Sequence, residues 1–128
     1  MTRRAVSTGS APGAVASYSQ AIATDDLVFC AGQIGLDPAT GELADGFDAQ
    51  AEQVLKNLAA VLEAAGCSWA DVVKTTCFLA DINDFAAFNA VYGRYMTDPP
   101  PARSTFAVAA LPKGARVEIE AVAVRPKG

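Results

Sequence analysis

Residues 47–66 read Phe47-Asp48-Ala49-Gln50-Ala51-Glu52-Gln53-Val54-Leu55-Lys56-Asn57-Leu58-Ala59-Ala60-Val61-Leu62-Glu63-Ala64-Ala65-Gly66. Phe47, Ala51, Val54, Leu55, Leu58, Val61, Leu62 and Ala65 recur at steps of three and four, and Glu52, Gln53, Lys56, Asn57 and Glu63 fall on the other side. That period predicts an amphipathic helix from Phe47 to Ala65, about five turns long, ended by Gly66 in the C′ role. Upstream, Leu27-Val28-Phe29-Cys30-Ala31-Gly32 is apolar at both parities, as in a strand covered on both faces. Asp25-Asp26 reads as a turn into it, Tyr18 to Ala23 as an extended segment, Asp37-Pro38-Ala39-Thr40-Gly41 as a loop, and the first dozen residues as a ragged edge.

Downstream, Val72 to Leu79 is a second strand with two largely apolar faces. A second helix is expected from about Asp84 to Met96, with Phe85, Phe88, Tyr92 and Tyr95 at helical spacing, stopped by Pro99-Pro100-Pro101. Strands around Ser104–Ala110 and Arg116–Arg125 follow, linked by Leu111-Pro112-Lys113-Gly114. The expected order is β-β-α-β-α-β-β, an α+β or α/β arrangement with a mixed sheet.

Five or six strands at ~4.8 Å spacing make a sheet roughly 25–30 Å wide, of which two helices ~10–12 Å in diameter cover one face. The second apolar face needs a partner, and another copy of the chain is the simplest one.

The chain has 128 residues, expected to form one domain over 1–128. Ten Lys plus Arg against fourteen Asp plus Glu give a net charge of −4, which argues against nucleic acid or an anionic membrane as partner. There is no histidine, which excludes Ser-His-Asp and Cys-His catalysis, HExxH zinc sites and imidazole acid–base work. Cys30, Cys67 and Cys77 are odd in number and lack CxxC spacing, which suits reduced core thiols rather than a disulfide frame, a zinc site or a nucleophile. With neither a signal peptide nor an apolar run near ~18 residues, a soluble cytoplasmic protein is expected.

Arg103 stands just after the proline run, where a guanidinium on a stiffened loop is suited to gripping a planar carboxylate. A solvated arginine at a strand start is the other reading. Glu118 and Glu120 alternate with Val117, Ile119 and Ala121, so period two puts both carboxylates on one sheet face. On the partnered face a carboxylate is partly desolvated and becomes a better acid–base group; an exposed polar face or an ion pair with Arg116 is equally open. Tyr18 offers a phenol to a pocket or is a half-buried strand tyrosine. Gly32 and Gly35 form no phosphate-binding pattern and suit a turn or a close backbone approach.

Tyr18-Ser19-Gln20-Ala21, Ala31-Gly32-Gln33-Ile34, Val73-Lys74-Thr75-Thr76, Asn83-Asp84-Phe85, Pro101-Ala102-Arg103-Ser104 and Val117-Glu118-Ile119-Glu120-Ala121-Val122-Ala123 occur in this order. Together they resemble the Rid family of reactive intermediate deaminases, in its RidA branch, also called YjgF. The resemblance covers nearly the whole chain, and the Pro-Ala-Arg-Ser and Glu-Ile-Glu-Ala motifs are its most specific part. It implies a chorismate-mutase-like α+β subunit, a mixed sheet with two helices on one face, assembled as a homotrimer with sites between subunits. It implies hydrolysis of 2-imino acids or their enamine tautomers, such as 2-aminoacrylate or 2-iminobutanoate, to 2-keto acids and ammonia, with no cofactor and no metal.

By the same resemblance Arg103 binds the substrate carboxylate and Glu118 positions or activates water. Tyr18, Gly32 and Asn89 belong to the pocket, and Thr105 lines it where many relatives have cysteine. The Gly-Pro pair that often precedes the family's tyrosine is Ala16-Ser17 here. A non-catalytic carboxylate-binding regulator or chaperone on this fold, or a pathway-specialised member, is the alternative; retention of Glu118 beside Arg103 favours the enzyme. The ribonuclease activity historically attached to the family fits an acidic chain without histidine poorly.

Overall fold

A computed structural model of the chain describes residues 3–126. The elements are β1 (Arg4–Val6), β2 (Ala21–Ala23), β3 (Leu27–Ile34), α1 (Phe47–Ala64), β4 (Val72–Leu79), α2 (Phe85–Gly93), β5 (Ala102–Ala107) and β6 (Val117–Val124). They form one mixed sheet in the order β1-β2-β3-β6-β4-β5, in which only β4 and β5 are parallel. The α+β class, the mixed sheet and the two helices are as expected.

Helix α1 forms where its period requires it. Val54, Leu55, Leu58, Val61 and Leu62 are all fully buried, and Gly66 follows at φ 80°, the left-handed conformation that ends the helix. They pack in one core with Val28, Cys77, Leu79, Val117, Ile119, Ala121 and Ala123 from the three central strands and with Phe88 and Val91 of α2. Each fully buried leucine contributes about 1.5–3 kcal/mol of transfer free energy.

Several boundaries differ from expectation, β5 ending at Ala107 rather than Ala110 among them. Arg4–Val6, inside the segment read as a ragged edge, is a strand paired with Ala21–Ala23, and Val6 is buried by it. A three-residue strand stabilised by a distant partner leaves no local period to read. Helix α2 ends at Gly93, short of Met96, and β5 starts at Ala102 rather than Ser104, so Arg103 lies inside the strand and not at its entrance.

The alternation in β6 is as read: Val117, Ile119, Ala121 and Ala123 are buried, while Glu118, Glu120, Val122 and Val124 face the other way. That second face also carries Phe29, Phe78 and Phe106, with the rings of Phe78 and Phe106 edge to face at 5.3 Å. Phe29, Val73, Phe106 and Val124 are between 44% and 47% exposed, so one sheet face is apolar and uncovered within the chain. Among the described residues no helix is long and apolar enough to cross a membrane.

Candidate active site

Arg103 occupies the helix-covered side of β5, level with Thr75 of β4. Its Nη2 donates to Asn89 Oδ1 at 2.8 Å. Its guanidinium carbon stands 5.7, 5.5 and 4.9 Å from the ring centroids of Phe85, Phe88 and Tyr92. These four residues project from successive turns of α2, so one helix face makes a bed for a planar cation. Tyr92 is fixed from below, its hydroxyl sharing a 2.7 Å hydrogen bond with the buried Thr75 Oγ1. Burial raises the Tyr92 phenol pKa, which keeps the ring neutral. Among the described residues no carboxylate pairs with Arg103. Its free donors border a cavity of about 400 Å³ shared with Asn89, Tyr92, Met96, Thr97 and Pro101.

Glu118 lies on the opposite face. The β3–β6 ladder pairs Cys30 with Ala121 and then Gln33 with Ile119, so β3 carries one extra residue at Ala31-Gly32. The bulge places Gly32 against the Glu118 side chain, where a Cβ would sit 2.9 Å from the carboxyl carbon. A small cavity, about 130 Å³, opens there between Gly32, Glu118, Tyr18, Val15, Pro12 and Lys113. Burial pushes the Glu118 carboxyl above the ordinary glutamate range, and the charge of Glu120 adds to the rise.

The sequence-derived residues thus fall into two groups. Arg103 and Asn89 share one cavity; Tyr18, Gly32 and Glu118 share the other. Thr105 lines neither: it stands two residues beyond Arg103 on the same side of β5, and its hydroxyl is buried without a partner. Arg103 pairs with Thr75 and Thr75 with Ala121, so Arg103 and Glu118 are two strands and three residues apart. At ~4.8 Å per strand and ~3.3 Å per residue that is roughly 14 Å, through the sheet. A molecule of a few heavy atoms does not span it within one chain.

Arg116 is no partner of Glu118. It pairs with Asp84 at 2.9 Å and stands over the Phe47 ring. All three cysteines are buried, and burial raises the thiol of Cys30 to about 12 and that of Cys77 to about 11. Such thiols are poor nucleophiles. Gly35 allows a close backbone approach, since a Cβ there would be 2.8 Å from Gln50 Cα. A further cavity, about 620 Å³, lies beside Tyr18 with Arg3, Ile22 and Phe29 and includes neither Arg103 nor Glu118. Among the described residues no cluster of His, Cys, Asp or Glu is placed to hold a metal ion.

Two features of the site were not read as such from sequence. The ring stripe of α2 was legible as a helix face, but its use as a bed for Arg103 depends on where β5 runs. Lys113 lines the Glu118 cavity in the left-handed conformation, at φ 58°.

Known proteins are similar to this chain in sequence and fold. The family model described as Endoribonuclease L-PSP matches residues 8–125. A human protein named 2-iminobutanoate/2-iminopropanoate deaminase is 52% identical over 98% of this chain and 92% of its own. The crystal structure of RidA from an Antarctic Psychrobacter superposes with a TM-score of 0.93 at 49% identity, covering 94% of this chain and 98% of that one. Escherichia coli TdcF with bound serine superposes at 0.92 and 41% identity, covering 96% and 99%. A match of this extent to the family's model, sequences and folds alike places the chain in the Rid family, also called YjgF.

Proposed function

We propose that this chain is a 2-imino acid deaminase, hydrolysing substrates such as 2-iminobutanoate, or the enamine 2-aminoacrylate through its imine tautomer, to 2-keto acids and ammonia. The observation that carries the reading is Arg103: a guanidinium oriented by Asn89 and three rings, with no carboxylate partner among the described residues. Two parallel N–H···O bonds from such a group hold a substrate carboxylate in one plane. The adjacent imine carbon is then fixed for attack.

Glu118 supplies the proton chemistry. On the protonated imine (C=NH2+), the Glu118 carboxylate accepts a proton from water as the water oxygen bonds to the imine carbon and the C=N pair moves to nitrogen, leaving a neutral NH2 group. Glu118 then returns that proton to the nitrogen, converting it to NH3+. Loss of the new hydroxyl proton to Glu118 forms the C=O bond as the C–N bond breaks and ammonia leaves. Its raised pKa brings the carboxyl closer to the working pH, which suits a group that must accept and return a proton.

Because Arg103 and Glu118 lie on opposite faces, we assign the working site to two copies of the chain, one presenting Arg103 and Asn89, the other Tyr18, Gly32 and Glu118. The uncovered apolar face supports this assembly, and a trimer closes it symmetrically. No cofactor is assigned. The chain is read as a single domain acting on free small molecules.

The test couples the purified protein to a threonine or serine dehydratase with semicarbazide present to trap free imine. Faster release of free 2-keto acid that vanishes in Arg103→Ala establishes the activity. No acceleration from a folded oligomer overturns it in favour of a carboxylate-binding role.

A further inference from the structure

Between β1 and β2 the chain runs through residues 7–20 without helix or strand. Apart from those of Gln20 at its end, its internal hydrogen bonds are few: Ser10 N donates to Thr8 Oγ1 at 3.2 Å and Tyr18 N to Ala16 O at 2.8 Å. Among the described residues, every hydrogen bond that ties residues 8–12 to the rest of the fold ends on one side chain, the Gln20 amide. Its Oε1 accepts from Thr8 N at 2.7 Å. Its Nε2 donates to Thr8 O at 3.1 Å and Pro12 O at 2.8 Å, with Ala11 O at 3.4 Å. Gln20 is 4% exposed, so the whole amide is committed to this tether.

Both ends of the tether touch the site. The Gln20 carbonyl accepts from Ala31 N at 2.9 Å, beside the bulge that seats Glu118 against Gly32. The tethered segment runs directly into Pro12, Gly13 and Val15, which form one wall of the 130 Å³ cavity over that carboxylate. Within one chain the carboxylate grip of Arg103 is built on α2 and β5, and no residue of the tethered segment lines its cavity.

We infer that Gln20 is a positioning residue which, by holding the 8–15 segment down, sets the size of substrate side chain admitted beside Glu118. The inference rests on the proposed imine hydrolysis. A cavity of about 130 Å³ takes an aliphatic side chain of up to about four carbons, being a little smaller than one that holds a benzene ring, whereas a wall freed from its amide gives way to a benzyl group.

Two variants test it: Gln20→Met, which keeps the shape and removes the polar tether, and Gln20→Glu, which keeps the length and replaces both N–H donors by a carboxylate facing carbonyl oxygens. Hydrogen exchange by mass spectrometry follows the peptide 8–16, with α1 as the folding control. Deamination is compared for imines made in situ by an amino-acid oxidase from phenylalanine and from alanine. Expected are at least tenfold faster exchange in 8–16 with α1 unchanged, and at least a fivefold rise in the phenylalanine-to-alanine ratio of kcat/KM. Unchanged exchange in a folded variant overturns the tether. Faster exchange with equal proportional loss on both imines overturns the size-setting role, since a merely structural defect leaves the ratio where it was. A wild-type protein inactive on both imines overturns the deaminase reading instead, and the exchange arm still decides the tether.

Discussion

The Glu118 carboxylate lies against the bare Cα of Gly32: a side chain on that glycine would overlap Oε2 and stand 2.9 Å from Cδ. The contact exists because the β3 bulge turns Gly32 toward β6. Gly32→Ala is therefore expected to displace the carboxylate rather than the backbone, since a side-chain tip is the softer of the two. General acid–base groups contribute about 10²–10⁴-fold, so kcat should fall by about 10² with little change in Tm. Steady-state kinetics and thermal melting check this together; full activity would detach the seat of Glu118 from catalysis.

The pH dependence has two parts, both from the raised pKa of Glu118. Activation of water requires the carboxylate, so kcat/KM should fall toward acid with a midpoint above the ordinary glutamate value of about 4.3. Stability runs the opposite way. A carboxyl whose folded pKa exceeds its unfolded one holds its proton longer when folded, so stability is lost as pH rises from the ordinary value through the folded one. Glu118→Gln should accordingly abolish turnover yet raise Tm at pH 7, the gain closing near pH 4. A Tm lowered at pH 7 would show that the charge is stabilised in place.

What the sequence disclosed and what it withheld divide along one line. Helix α1 and strand β4 were legible because their signals are local: a sustained helical period, and an eight-residue apolar run. Strand β1 was not, because Arg4–Val6 becomes a strand only through its pairing with Ala21–Ala23. The parity of Glu118 and Glu120 on one face could be read within β6. That Arg103 faces the other way could not, because its side is fixed by register across β4, Arg103 opposite Thr75 and Thr75 opposite Ala121. Gly32 was readable as a close approach, but its partner is set by a bulge that one strand alone does not reveal.

The bed beneath Arg103 separates charge from shape. Arg103→Lys keeps a cation but loses the planar fork, the Asn89 geometry and the stacking on three rings. Hydrogen bonds to charged groups contribute about 1.5–3 kcal/mol, so kcat/KM should drop by roughly 10–10²-fold in the lysine variant. The alanine variant should lose activity altogether, with both proteins folded as the wild type by circular dichroism. Equal activity in Arg103→Lys would mean that only charge is needed.

The Thr75–Tyr92 hydrogen bond should be a stability element that can be removed without removing the bed. Thr75 is fully buried, and its hydroxyl has one strong partner, the Tyr92 oxygen at 2.7 Å, with a weak 3.9 Å contact from Cys77 Sγ. Tyr92→Phe strands the threonine hydroxyl, and Thr75→Val strands the phenol; each should cost about 1–3 kcal/mol. Together they remove both polar groups, so the double variant should cost less than the sum by about 1 kcal/mol. Denaturant unfolding of the four proteins measures that coupling. Because phenylalanine keeps the ring 4.9 Å from the Arg103 guanidinium, kcat/KM of Tyr92→Phe should stay within about threefold of wild type. A large activity loss with normal stability would instead make the Tyr92 hydroxyl part of the reaction, which its raised pKa and its engagement with Thr75 argue against.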